Sequence, residues 1–352
     1  MVQTMKRKDA LAAVTLLAVQ AASSLSCGAR ESFSDPQRSD TNAVKGNSTA
    51  TNEPPQSLPS VPLEPYRPYV ACGILNSGAG SLRALAFSPD GATLLATDDR
   101  IRIWNTRSLN LERTLEVATN VAALSPDGTW IASAGHKGEG IYIWQNGIFE
   151  RSFAQQETIV GLAISRDGSI FAATQTSITW YGRDGVTLGR IPNDYMRGVI
   201  VSPDASFVIP LSMSPLRVLR VSDGKTIFVV SGDVRSLNAA AFIQDSTVVV
   251  TLAFSGEAQI FQSKDGSTMG SIAVRSGSVR SVAASADGRL IAIGDGASQV
   301  TIGRVDDRVG LQVITTGDPA SAYGVNAIAF SRDATMIATA TPVGKVRLWC
   351  AK

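Results

Sequence analysis

A chain of 352 residues with 44% apolar residues, 31 glycines and only 6% aromatics has the profile of many short strands joined by tight turns, and no long amphipathic helical pattern follows the first thirty residues. With 32 Lys and Arg against 30 Asp and Glu, the formal charge of +2 leaves no electrostatic footprint for nucleic acid and implies no polyanionic partner. A single histidine excludes His-rich metal sites and makes any Ser-His-Asp triad depend on His136 alone.

The first segment reads as an address. Lys6, Arg7 and Lys8 supply a positive start, and residues 10–22 form an apolar run of signal-peptide length, too short to span a bilayer. Ser23-Ser24-Leu25-Ser26-Cys27 resembles a bacterial lipoprotein processing site, in which Cys27 becomes the lipidated first residue of the mature protein. The match is imperfect, because Ser24 stands where such sites carry Leu, and Leu25 comes one residue later. Ordinary signal-peptidase cleavage nearby and a retained apolar anchor stay open beside lipidation. Gly28 after the Cys, in lipoproteins of this type, permits sorting to the outer membrane. The expected organisation is a signal over 1–27, a disordered tether rich in Ser, Asn and Pro over 28–68, and one folded domain over 69–352.

Within that domain a turn signal recurs: Ser88-Pro89-Asp90-Gly91, Ser125-Pro126-Asp127-Gly128, Ser165-Arg166-Asp167-Gly168, Ser202-Pro203-Asp204, Gln244-Asp245, Ala286-Asp287-Gly288 and Arg332-Asp333. Successive aspartates are 37, 40, 37, 41, 42 and 46 residues apart by subtraction. Four residues before each Asp stand small residues in six of the seven units (Ala86, Ala123, Ala163, Ala241, Ala283 and Ala329), with Ile200 in the fourth. Three before it the residue is mostly large and apolar, as in Phe87, Leu124, Ile164, Phe242 and Phe330. A second apolar strand follows the Asp, and a third ends in an aromatic in most units, as in Ile101-Arg102-Ile103-Trp104, Ile141-Tyr142-Ile143-Trp144 and Val346-Arg347-Leu348-Trp349. Alternation at period two fits strands with two unlike faces.

A period near forty with one such turn per unit resembles the WD-repeat propellers. The resemblance implies an all-β, seven-bladed propeller of four-stranded antiparallel blades, in which small residues line a crowded axis and large ones pack between blades. Family features are also missing. Asn105, Gln145 and Cys350 stand after the aromatics in place of the usual Asp, and no Gly-His pair opens a blade. The family's buried Asp-His-Ser/Thr-Trp set is therefore expected not to form, leaving stability to apolar packing and backbone ladders. Pro210 and Pro215 place a distorted turn at the end of the second strand of the fourth unit.

Closure in the family uses an N-terminal strand to complete the last blade. Here Tyr69-Val70-Ala71-Cys72-Gly73-Ile74-Leu75 is that strand, which sets Cys72 beside Cys350. The two form a disulfide in an oxidising compartment; two free thiols close together by accident is the other reading.

No catalytic constellation is visible, so the domain is expected not to be an enzyme and to need no cofactor or metal. His136 lies in a turn-rich loop, and the recurrent aspartates read as turn formers rather than a calcium ring. What remains is a rim at the start of each inner strand, seven residues before the Asp. Arg83, Asn120, Arg197, Asn238, Arg280 and Asn326 hold it, with Val160 in the third unit. In WD-repeat proteins that rim commonly holds partner contacts; solvated strand starts are the bland alternative. Tyr66, Tyr69, Tyr195 and Tyr323 lie near strand entries and could join such a patch. The resemblance thus implies an exported, monomeric scaffold for protein partners, held to a bacterial outer membrane through its lipid anchor alone. A propeller enzyme acting on a small molecule in the channel, and a structural envelope element binding glycan, are the alternatives.

Overall fold

A computed structural model of the chain describes residues 66–76, 82–98, 100–115, 121–125, 128–135, 140–155, 157–193, 195–212, 216–230, 240–243, 247–251, 257–274, 279–306, 308–317, 324–342 and 344–352. Cys27, the tether up to residue 65, Asn120, His136, Pro215, Asn238 and Tyr323 lie outside them. The chain divides into two compact units, 1–66 and 67–352. Of the first, Tyr66 alone is described, its phenol pushed up to about 12 by burial.

Strand β1 spans Tyr69–Asn76. Sheet 1 is β2 (Ala84–Phe87), β3 (Thr93–Thr97), β4 (Ile101–Asn105) and β5 (Leu111–Leu115); sheet 2 is β6 (Val121–Leu124), β7 (Trp130–Ala134), β8 (Ile141–Gln145) and β9 (Ile148–Phe153). Sheet 3 is β10 (Gly161–Ile164), β11 (Ile170–Ala173), β12 (Ser177–Tyr181) and β13 (Thr187–Pro192); sheet 4 is β14 (Met196–Val201), β15 (Phe207–Ser212), β16 (Arg217–Arg220) and β17 (Thr226–Val229). Sheet 5 is β18 (Ala240–Ile243), β19 (Thr247–Thr251), β20 (Glu257–Gln262) and β21 (Thr268–Ala273); sheet 6 is β22 (Val279–Ala284), β23 (Leu290–Asp295), β24 (Gln299–Arg304) and β25 (Gly310–Thr315). Sheet 7 is β26 (Ala327–Phe330), β27 (Met336–Ala340), β28 (Lys345–Ala351) and, at its outer edge, β1. The described residues thus form an all-β propeller of four-stranded antiparallel blades with no helix.

The recurrent turn builds the first hairpins of sheets 1, 4, 6 and 7 by one device. Ser88 Oγ donates to Asp90 Oδ1 at 2.6 Å and accepts the Thr93 N–H at 2.9 Å, while Asp90 Oδ1 accepts the Ala92 N–H at 3.0 Å. The same clamp joins Ser202 to Asp204 and Phe207, Ser285 to Asp287 and Leu290, and Ser331 to Asp333 and Met336. It satisfies a backbone donor that would otherwise be buried unpaired. Stability therefore does not rest on apolar packing and backbone ladders alone, a correction to the sequence expectation.

The core lies between neighbouring sheets. Leu75, Leu348 and Ala329 of sheet 7 pack with Leu85, Leu94 and Trp104 of sheet 1, and Ala134 and Ile143 of sheet 2 with Ile164 and Ile170 of sheet 3. Each such large side chain contributes about 1.5–3 kcal/mol on burial. The third-strand aromatics Trp104, Trp144, Tyr181, Phe261 and Trp349 are all buried.

The inner strands are neighbours in sequence order, β2 beside β6, β6 beside β10, β10 beside β14, β14 beside β18, β18 beside β22 and β22 beside β26; β26 in turn lies beside β2. A Cβ on Gly161 would fall 2.5 Å from the Cα of Gly198, so β10 and β14 approach backbone to backbone. Ala84, Ala86, Ala123, Ala283 and Ala329 help line an axial cavity of about 310 Å³.

In sheet 4 the turn expected to be distorted, residues 213–215, lies outside the described residues. β15 runs through Pro210, which pairs with Val199, and on to Ser212. Its ladder to β16 covers only Phe207 and Val208, so Pro210 lies where no partner on that side needs its missing N–H.

Every outer strand also carries a bulge at the same height. In sheet 1 Glu112 is left over between the pairs Trp104↔Leu111 and Ile103↔Arg113. Glu150, Leu188, Ile227, Met269 and Leu311 are the corresponding extra residues of sheets 2 to 6, and Cys72 is that of sheet 7. Nothing in the sequence marks this bulge, because it answers to the local twist of a sheet edge.

Candidate functional site

The axis has two ends, and the sequence pointed to the one where inner strands begin. Arg83, Val160 and Asn326 occupy equivalent places there, each donating its N–H across the hairpin, to Thr97, Ala173 and Ala340. Arg197 and Arg280 are the extra residues of bulges, one between Met196 and Gly198 and the other between Val279 and Ser281. Arg197 is exposed, whereas Arg280 is partly buried, its Nε sequestered without a hydrogen-bond partner and its Cδ 2.6 Å from where a Cβ on Gly324 would fall. The described members share one end by register, but Arg280 is not a free surface arm. Tyr195 is 77% exposed at this end, while Tyr69 is buried and its hydroxyl donates to the Ala334 carbonyl, so Tyr69 offers no surface platform.

Two further groups are buried at this end. Asp98, eight residues after the turn Asp90, is ion-paired with Arg102. Asp295 stands eight residues after Asp287, beside the bulge that holds Arg280, but makes no ion pair among the described residues. Its Oδ1 accepts the N–H groups of Ala297 and Gln299 at 2.9 and 2.8 Å, its Oδ2 is buried without a partner, and burial holds its carboxyl above the usual range.

The opposite end, ringed by the Ser-Asp turns, opens into a cavity of about 830 Å³. Phe87, Phe242 and Phe330 form apolar parts of its wall, and Arg166 and Arg332 stand at its edge, on sheets 3 and 7. Both arginines are exposed, and neither guanidinium has a hydrogen-bond or ion-pair partner among the described residues. The Arg166 N–H donates to the Pro203 carbonyl at 2.8 Å, fixing that turn against sheet 4. The neighbouring carboxylates are committed to their turns. The hydroxyl of Ser88 and the Ala92 N–H hold Asp90 below the usual carboxylate range; for Asp167, Asp204 and Asp333 burial pushes upward, but hydrogen bonds from Ser165, Ser202 and Ser331 and from backbone N–H groups outweigh it. The arrangement suits binding of a partner's side chains on an apolar floor with free guanidinium donors at its edge.

These residues were legible only in part. Arg166 and Arg332 hold the place taken by Pro89 and Pro203 in other turns, one residue before the Asp, and turn chemistry alone says nothing of which side chains face a cavity.

The family model described as WD domain, G-beta repeat, matches residues 72–105, from the strand that closes the last sheet through β4 of the first. Over that span the chain is similar to a WD repeat, and the described residues have the propeller architecture such repeats build. No curated protein matches it. The propeller keeps one piece of the WD-repeat buried polar set that the sequence was expected to lose: Trp349 Nε1 donates to Thr339 Oγ1 at 3.0 Å, between two buried residues. Its last sheet is also stapled covalently, by a disulfide between Cys72 and Cys350.

Proposed function

We propose that this WD-repeat chain is an exported, non-catalytic propeller of seven blades that binds protein partners at the turn-ringed mouth of its axis, from a lipid-modified Cys27 on a bacterial outer membrane. The observation that carries the binding site is the 830 Å³ cavity with Phe87, Phe242 and Phe330 in its wall and Arg166 and Arg332 free at its edge. A cavity of that size with an apolar wall and few convergent polar groups is the usual form of a binding site. The seven-bladed ring is supported by the cyclic order of the inner strands and by β1 pairing with β28. Export is supported by the Cys72–Cys350 disulfide, since such bridges persist in oxidising compartments.

The test is cross-linking and mass spectrometry on protein retrieved from native membranes. Wild type is compared with Arg166→Glu/Arg332→Glu and, separately, with Arg83→Glu/Arg197→Glu/Arg280→Glu. One envelope protein enriched by wild type and lost with the first variant supports the turn-ringed mouth. Loss with the second variant alone moves the site to the strand-start rim, and no specific enrichment by any form ends the scaffold reading. Recovery of unlipidated chain in the soluble fraction would overturn the anchor.

A further inference from the structure

The turn between third and outer strands has five residues in sheets 1, 3, 4, 5 and 6, at 106–110, 182–186, 221–225, 263–267 and 305–309. In sheet 2 it has two, Asn146 and Gly147. The long turns carry side chains back onto the preceding sheet. Leu109 of the sheet 1 turn lies over Gly73 in the outer strand of sheet 7, its Cδ2 2.8 Å from where a Cβ would be. Arg308 of the sheet 6 turn covers Gly270 in the outer strand of sheet 5 in the same way, and Arg183 of the sheet 3 turn stacks over the Trp130 ring of sheet 2, 5.6 Å from its centroid.

Between sheets 1 and 2 no side chain of the sheet 2 turn plays that part. Gly147 has no side chain to send, and the residue corresponding to Gly73 and Gly270 is Arg113, whose Nη1 donates to the Gly147 carbonyl at 2.8 Å. The result is an open groove of about 330 Å³, floored by Leu95, Ile103 and Ile131 and walled by Glu112, Arg113 and Asn146. Next in sequence to its lining stand Leu111, Ile148 and Phe149, which are 49%, 62% and 54% exposed.

We propose that the groove between sheets 1 and 2 is a docking site for a partner segment that inserts a leucine-like side chain where the shortened turn supplies none. The molecule itself shows what fits, since Leu109 fills the counterpart between sheets 7 and 1 and packs onto its buried core. Arginine fills the counterpart between sheets 5 and 6, where, like Leu109, it faces a glycine. Here it would face the guanidinium of Arg113, so the aliphatic side chain is the one accommodated. The groove borders the axial mouth at Ser88 and Pro89 but is otherwise lined by different residues, and it does not depend on the mouth being used.

The test is methyl NMR on the full chain, titrated with N-acetyl-leucine amide and, separately, with N-acetyl-arginine amide. The expected result is saturable shifts of the Leu95, Ile103 and Ile131 methyls with the leucine probe only, unchanged in Arg166→Glu/Arg332→Glu. Replacing Asn146-Gly147 by a copy of residues 106–110 fills the groove from within and weakens the leucine probe at least tenfold. The inference is overturned by the absence of saturable shifts at these methyls, by equal shifts with the arginine probe, or by undiminished binding in a graft that keeps the wild-type spectrum elsewhere. Should the graft not fold, the two wild-type titrations decide.

Discussion

Cys72 and Cys350 occupy in sheet 7 the two positions that Glu112 and Asn105 occupy in sheet 1. Cys72 is the extra residue of the outer-strand bulge, as Glu112 is, and Cys350 follows the buried Trp349 as Asn105 follows Trp104. In sheet 1 the pair is joined by a hydrogen bond from Asn105 Nδ2 to Glu112 Oε1 at 2.9 Å; in sheet 7 it is joined by a disulfide whose Cα atoms are 5.8 Å apart across 278 residues of sequence. The same geometry holds a local contact in one sheet and ties the chain ends together in the other.

That relationship predicts a graded loss. Cys72→Ser/Cys350→Ser removes a long loop closure, with an upper figure of about 5 kcal/mol from the chain-entropy model. Cys72→Glu/Cys350→Asn copies the sheet 1 pair and recovers about 1 kcal/mol of it. Urea denaturation under non-reducing conditions measures both; a Ser/Ser variant as stable as wild type would show that the staple contributes nothing.

Ser202→Ala leaves the Phe207 N–H without its acceptor and Asp204 without its closest donor, at a cost of about 1–3 kcal/mol. The pH dependence has a definite sign. Asp204 is held below its ordinary value of 3.8, so its contribution is complete above that value and is lost as the pH falls through the depressed folded one. The variant should therefore have a shallower acid limb than wild type, read from denaturation midpoints between pH 2 and 7, limits about two units below and three above an ordinary Asp.

Asp295 has the opposite sign. Burial raises its carboxyl above 3.8, so wild type loses stability as the pH rises from 3.8 through the raised folded value. Asp295→Asn keeps an oxygen for the Ala297 and Gln299 N–H groups and lacks that limb. Its stability relative to wild type should grow across the window and then level off; parallel profiles would show that Asp295 titrates normally.

Two glycines separate close approach from open surface. Gly161→Ala drives a methyl into the backbone of Gly198 and should cost about 1–3 kcal/mol. Gly310, also in a strand, has nothing within 4 Å of its would-be Cβ, so Gly310→Ala should be neutral or stabilise by about 0.4–1 kcal/mol. Thermal unfolding of the pair checks this, and equal effects would contradict the packing of β10 against β14.

How much was legible in the sequence depended on how local the cause was. The strands, their period-two faces, the small residues of the inner strand and the Ser-Asp turn are set by neighbours a few residues apart, so the repeat register exposes them directly. The bulged outer strand was not legible, because Glu112, Leu188 and Cys72 share no chemistry; the bulge answers to sheet twist and not to side-chain type. The cost of Pro210 was not legible for a related reason, since whether a missing N–H matters depends on which side of β15 carries a partner at that point.

By itself the sequence determined an all-β repeat of hairpins, the identity of its turns and the strand that closes the last sheet, since each follows from local periodicity and turn chemistry. Only the tertiary structure decided which end of the axis opens, that Arg166 and Arg332 border it, that Arg280 is partly buried, and that one shortened turn leaves a groove between sheets 1 and 2. Those outcomes depend on how closely distant strands converge and on which side chains fill the spaces between sheets, and such quantities belong to residues far apart in the chain.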